Sequence, residues 1–126
     1  MTSLRSDCPI AGGLDLAGDR WTLLILRDMF LGKRRYSDFL ASPEKITTNI
    51  LADRLVKMER AGLIAKKPYQ ERPVRHEYRL TSMGRALLPV IQQMSLWAAR
   101  YVEGAAAPED ALMNRTIAPS RPVQLT

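Results

Sequence analysis

Few side chains in this chain of 126 residues could make or break a covalent bond. There is a single cysteine, Cys8, and a single histidine, His76. One of each cannot assemble a zinc site, and no Cys–His nucleophile pair can be argued from them. No Gly-rich phosphate loop or Walker pattern is present. The expectation is therefore no catalytic residue, no metal and no cofactor. What the sequence does offer is hydrogen-bonding and cationic chemistry. The stretch "ITTNILADRLVKMERAGL" over 46–63 opens with Thr47, Thr48 and Asn49 and continues with Arg54, Lys57 and Arg60. Small polar side chains at a helix start can reach the base edges of DNA, and asparagine can pair with adenine through two hydrogen bonds. Arginine and lysine can neutralise phosphates. The competing reading is an ordinary capped surface helix.

The charge distribution points to the same region. The chain carries a formal net charge of +6. Twelve of the 19 Lys/Arg but only six of the 13 Asp/Glu lie between Lys33 and Arg79. The remainder is balanced, so the whole excess sits in the middle third, where a polyanionic partner would bind. A lone cysteine excludes an internal disulfide framework and fits a reducing compartment. No apolar run approaches the roughly 18 residues of a membrane span. The N-terminus lacks the apolar core of a signal peptide, so the expected location is the cytoplasm.

These residues need elements to position them. Pro9 suits a first helical turn, and Ile10, Leu14 and Ala17 recur at helical spacing, so a helix is expected over Pro9–Ala17. Asp19 is placed to cap a second helix from about Arg20 to Leu31, apolar on most sides and hence central in the core. "KRRY" reads as a short edge strand. Ser37 is the expected cap of a helix through Ser42, which Pro43 ends. In the next helix Thr47 is the expected N-cap and Ile50, Leu51, Leu55 and Met58 the buried stripe, with Gly62 as the left-handed stop. The pattern then changes to period two. "LIAKKPYQERPVRHEYRL" reads as two strands with a turn around Glu71–Val74, with His76, Tyr78 and Leu80 on the half-buried face. Thr81 is expected to cap one long last helix through about Val102, bent at Pro89. That helix shows two apolar faces, Leu87/Ile91/Met94 and Leu88/Trp97. From Ala105 periodicity ceases, and a mobile tail is expected over 105–126 beyond a single domain of 1–104.

Helix, helix, capped helix, basic hairpin and long helix, in that order, describe a mainly α fold with a small β-hairpin wing: a winged helix-turn-helix. In that arrangement the N-terminus of the capped helix enters the major groove. Arg54, Lys57, Arg72 and Arg75 are then the candidate phosphate contacts. Arg54 also has a second reading, an internal ion pair, because it lies between Leu51 and Leu55 around the helix.

The segments "CPIAGGLDLAGDRWTLLILRDMFLGKRRYSDFL", "NILADRLVKMERAGLI" and "EYRLTSMGRALLPVIQQMSLWA" resemble the HxlR-type bacterial transcriptional regulators, relatives of the MarR winged-helix proteins. The resemblance runs from about Cys8 to Tyr101. It implies a homodimer that binds double-stranded DNA at an inverted-repeat operator, a repressor by family habit. It also implies an interface built from the first and last helices, through Ile10, Leu14, Leu87, Ile91, Met94 and Trp97. Carried over, Thr48 and Asn49 face the groove, Arg54 belongs to the family's Arg-Leu pair, and Arg72, Pro73 and Arg75 form the wing tip. The sequence departs from the pattern at His76, where an aliphatic residue is common. It departs again at "SPEK", which replaces the more usual glycine before the recognition helix. Some family members sense oxidants or electrophiles through an N-terminal cysteine. Cys8 is thus a candidate redox sensor for a small-molecule or oxidant effector, against the reading of a small residue buried on the last helix. Two other functions stay open at this point: a winged-helix module that binds proteins without DNA, and a thiol enzyme built on Cys8.

Overall fold

A computed structural model of the chain describes residues 4–117. Seven helices and one hairpin follow in the order α1 (Pro9–Ala17), α2 (Thr22–Phe30), α3 (Tyr36–Leu40), α4 (Thr48–Arg60), β1 (Ile64–Glu71), β2 (Val74–Leu80), α5 (Ser82–Arg85), α6 (Leu88–Tyr101) and α7 (Asp110–Met113). The core is one cluster. Ile25, Leu26, Met29 and Phe30 of α2 lie at its centre, as the all-round apolar pattern of that helix requires. Phe39, Leu51, Leu55, Met58, Leu63, Ile64 and Leu88 close around them.

Each helix boundary has a local cause. Asp19 caps α2 by accepting the Trp21 and Thr22 N–H groups at 3.0 Å, together with the Thr22 hydroxyl. The expected cap of α3 was Ser37. The carboxylate that accepts there is instead Asp38, from the Arg34 and Arg35 N–H groups at 3.2 and 3.0 Å, and α3 stops at Leu40. Aspartate two residues into a helix can fold back on the amides before it, which serine at the first turn cannot match in charge. After α4 the chain turns through Gly62 at φ +86°, where the Gly62 N–H donates to Glu59 O and the Leu63 N–H to Met58 O. This paired termination sends the buried Leu63 straight into the core.

The hairpin is antiparallel, pairing Ile64 with Leu80 and Glu71 with Val74, with a register shift between Pro68 and Gln70. The expected edge strand reduces to a single bridge, Arg35 to Glu77, supported by the Tyr78 N–H donating to Arg34 O at 2.7 Å.

The long last helix is in fact two. α5 ends at Arg85, and α6 restarts at Leu88 with Pro89 in its first turn. A continuous helix would press the Pro89 ring against the carbonyl of Arg85. α5 itself is seated tightly, because a Cβ on Gly84 would lie 2.1 Å from the Leu63 carbonyl oxygen. Restarting the helix resorts its faces. Leu88 and Ile91 turn into the core and Leu87 is half-buried against it, while Val90, Met94, Trp97 and Tyr101 are exposed. Ile91, expected in an interface, is only 7% exposed within its own chain.

The segment from Ala105, expected to stand apart, folds back over the domain. α7 places Leu112 in the core, and Ile117 packs against the same cluster. The Gln92 side-chain amide donates to the carbonyls of Leu112, Met113 and Arg115 at 3.0–3.3 Å. One buried leucine with no periodic neighbours leaves no pattern to read in the sequence. The rest of the expected tail, 118–126, lies outside the described residues.

Candidate nucleic-acid interface

The first turn of α4 is held from behind and open in front. Thr47 caps it by accepting the Ile50 N–H at 3.4 Å. The Tyr36 hydroxyl donates to the Thr48 carbonyl at 2.7 Å, tying α3 to the start of α4. Leu51, Leu55 and Met58 bury the inner face. Thr48, Asn49, Ala52 and Asp53 face solvent. Ile50, expected in the buried stripe, is 38% exposed, because it lies beside the open first turn instead of over the core.

The turn before α4 is clasped to α2 by a charged network. Arg27 forks onto Glu44 at 2.7 and 2.8 Å and also donates to Asp28 at 2.8 Å. Asp28 is buried and accepts the Ser42 hydroxyl, and Lys33 Nζ donates to Ser42 Oγ at 2.8 Å. The Arg27 hydrogen bonds hold the Glu44 carboxyl below its ordinary range. Most of these contacts cannot be read from the sequence, since they join different elements; the one signal was the Arg27-Asp28 pair within a largely apolar helix.

The predicted cations separate into paired and open. Arg54 bonds Asp53 at 2.8 Å and lies 3.3 Å from Asp19, the capping residue of α2. The internal ion pair is therefore what the fold makes of Arg54. Burial pushes the Asp19 carboxyl up, but the Thr22 hydroxyl, the Trp21 and Thr22 amides and the Arg54 charge together hold it below its ordinary value. Lys57 pairs with Asp53 at 3.2 Å, one helical turn away, with both side chains more than half exposed. Arg72 and Arg75 stand exposed at the wing tip, where the Gln70 side chain donates to Pro73 O at 3.1 Å and steadies the turn. His76 is half-buried on the inner strand face, as expected. Arg35 lies over the Tyr69 ring at 3.7 Å, linking the approach to α3 with the wing. Arg35, Tyr69, Arg75 and His76 border a recess of about 390 Å³ between these two elements.

A family model described as HxlR-like helix-turn-helix matches residues 16–106. The chain belongs to that family. An uncharacterized HTH-type transcriptional regulator of Mycobacterium tuberculosis is 39% identical over 107 residues, covering 85% of this chain and 67% of that protein. The HTH-type regulator YdeP of Bacillus subtilis is 37% identical over 94 residues, covering 75% of this chain and 73% of its own. Among solved structures, the redox regulator HypR in its oxidized form superposes with a TM-score of 0.66 at 33% identity, over 72% of this chain and 94% of that one. The reduced transcriptional regulator YodB of B. subtilis gives 0.61 at 28% identity, over 78% and 97%. The chain is thus a winged-helix transcriptional regulator of HxlR type, with two consecutive helices, α3 and α4, followed by the hairpin.

An apolar groove of about 580 Å³ lies between α1, α2 and α6. Ile10, Leu14, Leu23, Leu87, Val90 and Met94 line it. Ile10 is 74% and Trp97 60% exposed. Of the residues expected at an interface, all except Ile91 therefore lie on or beside this outer surface. Cys8 is an exposed free thiol at the N-cap of α1, which overturns the reading of a small buried residue. Among the described residues no helix is long and apolar enough to cross a membrane.

Proposed function

We propose that this HxlR-type regulator is a sequence-specific DNA-binding repressor that acts as a homodimer on an inverted-repeat operator. The observation that carries the reading is the first turn of α4. Its backbone is held by Thr47 and Tyr36 while the Thr48 and Asn49 side chains project from it unburied. A rigid, outward polar helix start is what base-edge recognition in the major groove requires. Arg72 and Arg75 on the wing supply phosphate contacts. Lys57 joins them by leaving an exposed pair with Asp53, which is worth little in water. Arg54, committed to Asp19, orients α4 against α2 and bears on DNA mainly through that orientation. The outer surface of α1 and α6 is the expected twofold contact. An oxidant effector acts at the exposed Cys8, the only thiol in the chain.

Selection from a random duplex pool tests the reading. The selected sites should be inverted repeats with half-site centres about 34–36 Å apart. Asn49→Ala should relax preference at one position in each half-site, at a cost of about 1–3 kcal/mol. Arg75→Ala should weaken all duplexes alike. A pool that yields no enriched duplex, with the protein folded, would instead favour a module that binds only proteins.

A further inference from the structure

Lys45 is the one non-glycine residue with positive φ among the described residues, at +58°. It sits in the turn before α4, its N–H donating to Ser42 O at 3.0 Å. A left-handed backbone disfavours any side chain with a Cβ, and glycine would adopt it without strain. The turn does not lack other supports, since Ser42 and Glu44 are already clasped to α2. A long cationic side chain held in a conformation suited to glycine points to a use for the side chain itself.

The surrounding charges show what that use is. Four cations lie between 44 and 60: Lys45, Arg54, Lys57 and Arg60. Arg54 is committed to Asp53 and Asp19, while Lys57 shares Asp53 only in an exposed pair one turn further along α4. None of the ion pairs among the described residues includes Lys45 or Arg60, and both are exposed. Arg60 closes the far end of α4, about 18 Å along the helix from Thr48. Lys45 precedes Thr48 by three residues, so its Cα lies within about 11 Å of the open helix start. The major groove is roughly 12 Å wide. A lysine at that distance, beside a helix start aimed into the groove, has the reach to meet the phosphates at its rim.

We propose that Lys45 is a phosphate-binding residue of the reading head, contacting the DNA backbone beside the groove that α4 enters. It takes the cationic role at the N-terminal end of α4 that Arg54 gives up to Asp19. The proposal rests on the DNA-binding reading above and adds to it a specific contact. Because the contact is to phosphate, it is independent of sequence, and a mixed-sequence DNA duplex serves as the probe.

The test compares wild type, Lys45→Gly, Lys45→Gln, Lys45→Arg and Arg60→Gln by duplex binding across a salt series and by thermal unfolding. Lys45→Gly should raise the melting temperature by a few degrees and yet weaken binding several-fold. Its plot of log K against log salt should flatten by about 0.9 for each Lys45 engaged. Lys45→Gln should flatten the slope equally without the stability gain. Lys45→Arg and Arg60→Gln should keep the wild-type slope. If Lys45→Gln binds with the wild-type slope, or if Arg60→Gln loses as much, the assignment is overturned while the DNA-binding reading stands. A folded wild type with no salt-dependent duplex binding overturns both. Should Lys45→Gly fail to fold, the strain argument is refuted, and the slope of the Gln variant alone decides the contact.

Discussion

The surroundings of α4 and the outer side of α1 and α6 are built on contrary principles. Around α4 the supporting polar groups find partners in their own chain: Tyr36 on Thr48, Arg54 on Asp19, Arg27 on Glu44, Ser42 on Asp28. On the outer side of α1 and α6, Ile10, Leu14, Met94, Trp97 and Tyr101 are all exposed. The first region is finished within one chain and presents a rigid polar edge. The second is unfinished, a contiguous apolar patch of the kind that marks an interface. The function proposed above, reading DNA as a dimer, would use both. Its half-sites are read by surfaces that must not deform, and their spacing is set by a surface that must be covered.

The contrast is broken most severely on the unfinished side. Trp97→Asp puts a charge on the exposed apolar side of α6. Sedimentation should show a monomer at micromolar concentration where the wild type is expected as a dimer, and loss of the paired contact should reduce operator affinity by about 10²–10⁴-fold. Monomer stability should hardly change, because Trp97 touches mainly Tyr101 of its own helix, at a ring distance of 5.9 Å. A wild type that sediments as a monomer would erase the contrast.

Asp28→Ala attacks the finished side. It leaves Ser42 without its acceptor and Arg27 with one carboxylate instead of two, so stability should fall by about 2–3 kcal/mol in urea unfolding. Acid should reach the same clasp more gently. Glu44 and Asp19 are held below their ordinary values of 4.5 and 3.8. Carboxylates lowered on folding contribute stability that is fully present above those values and is lost as pH falls through the lowered ones. The melting temperature should therefore be flat from neutrality to about pH 5 and decline below pH 4. Glu44→Gln should flatten part of that decline.

The smallest effect sharpens the comparison at the edge of the apolar face. Cys8→Ser should leave stability within about 0.5 kcal/mol, since the residue is exposed. Operator affinity of the wild type should fall several-fold after a quinone or peroxide, and that of the Ser variant should not. Equal responses would remove Cys8 from any sensing role. With one cysteine in the chain, any disulfide formed must join two subunits or take up a small thiol.

The elements that rest on local chemistry were legible from the sequence. Pro9 and Ala17 bound α1, Thr47 caps α4, Gly62 stops it, and the period-two run after Leu63 makes the wing. Each depends on residues within a turn of one another, so a single stretch of chain carries the whole cause. The inward placement of Leu51, Leu55 and Met58 followed from the same periodicity. What only the tertiary structure decided depends on groups far apart in sequence. Arg54 could face DNA or a carboxylate until the packing of α4 against α2 brought Asp19 within 3.3 Å. Ile91 and Trp97 carried equal claims to an interface until the break at Pro89 reset the helical phase, turning one into the core and leaving the other outside. Leu112 had no periodic neighbours to announce it, and only the return of the chain across Gln92 buries it. The turn "SPEK" likewise named its residues but not its geometry. The clasp to α2 fixes that backbone, and with it the left-handed Lys45 beside the reading head. Short-range sterics and hydrogen bonds act within a segment and can be read there, whereas ion pairs and burial depend on which distant segment arrives.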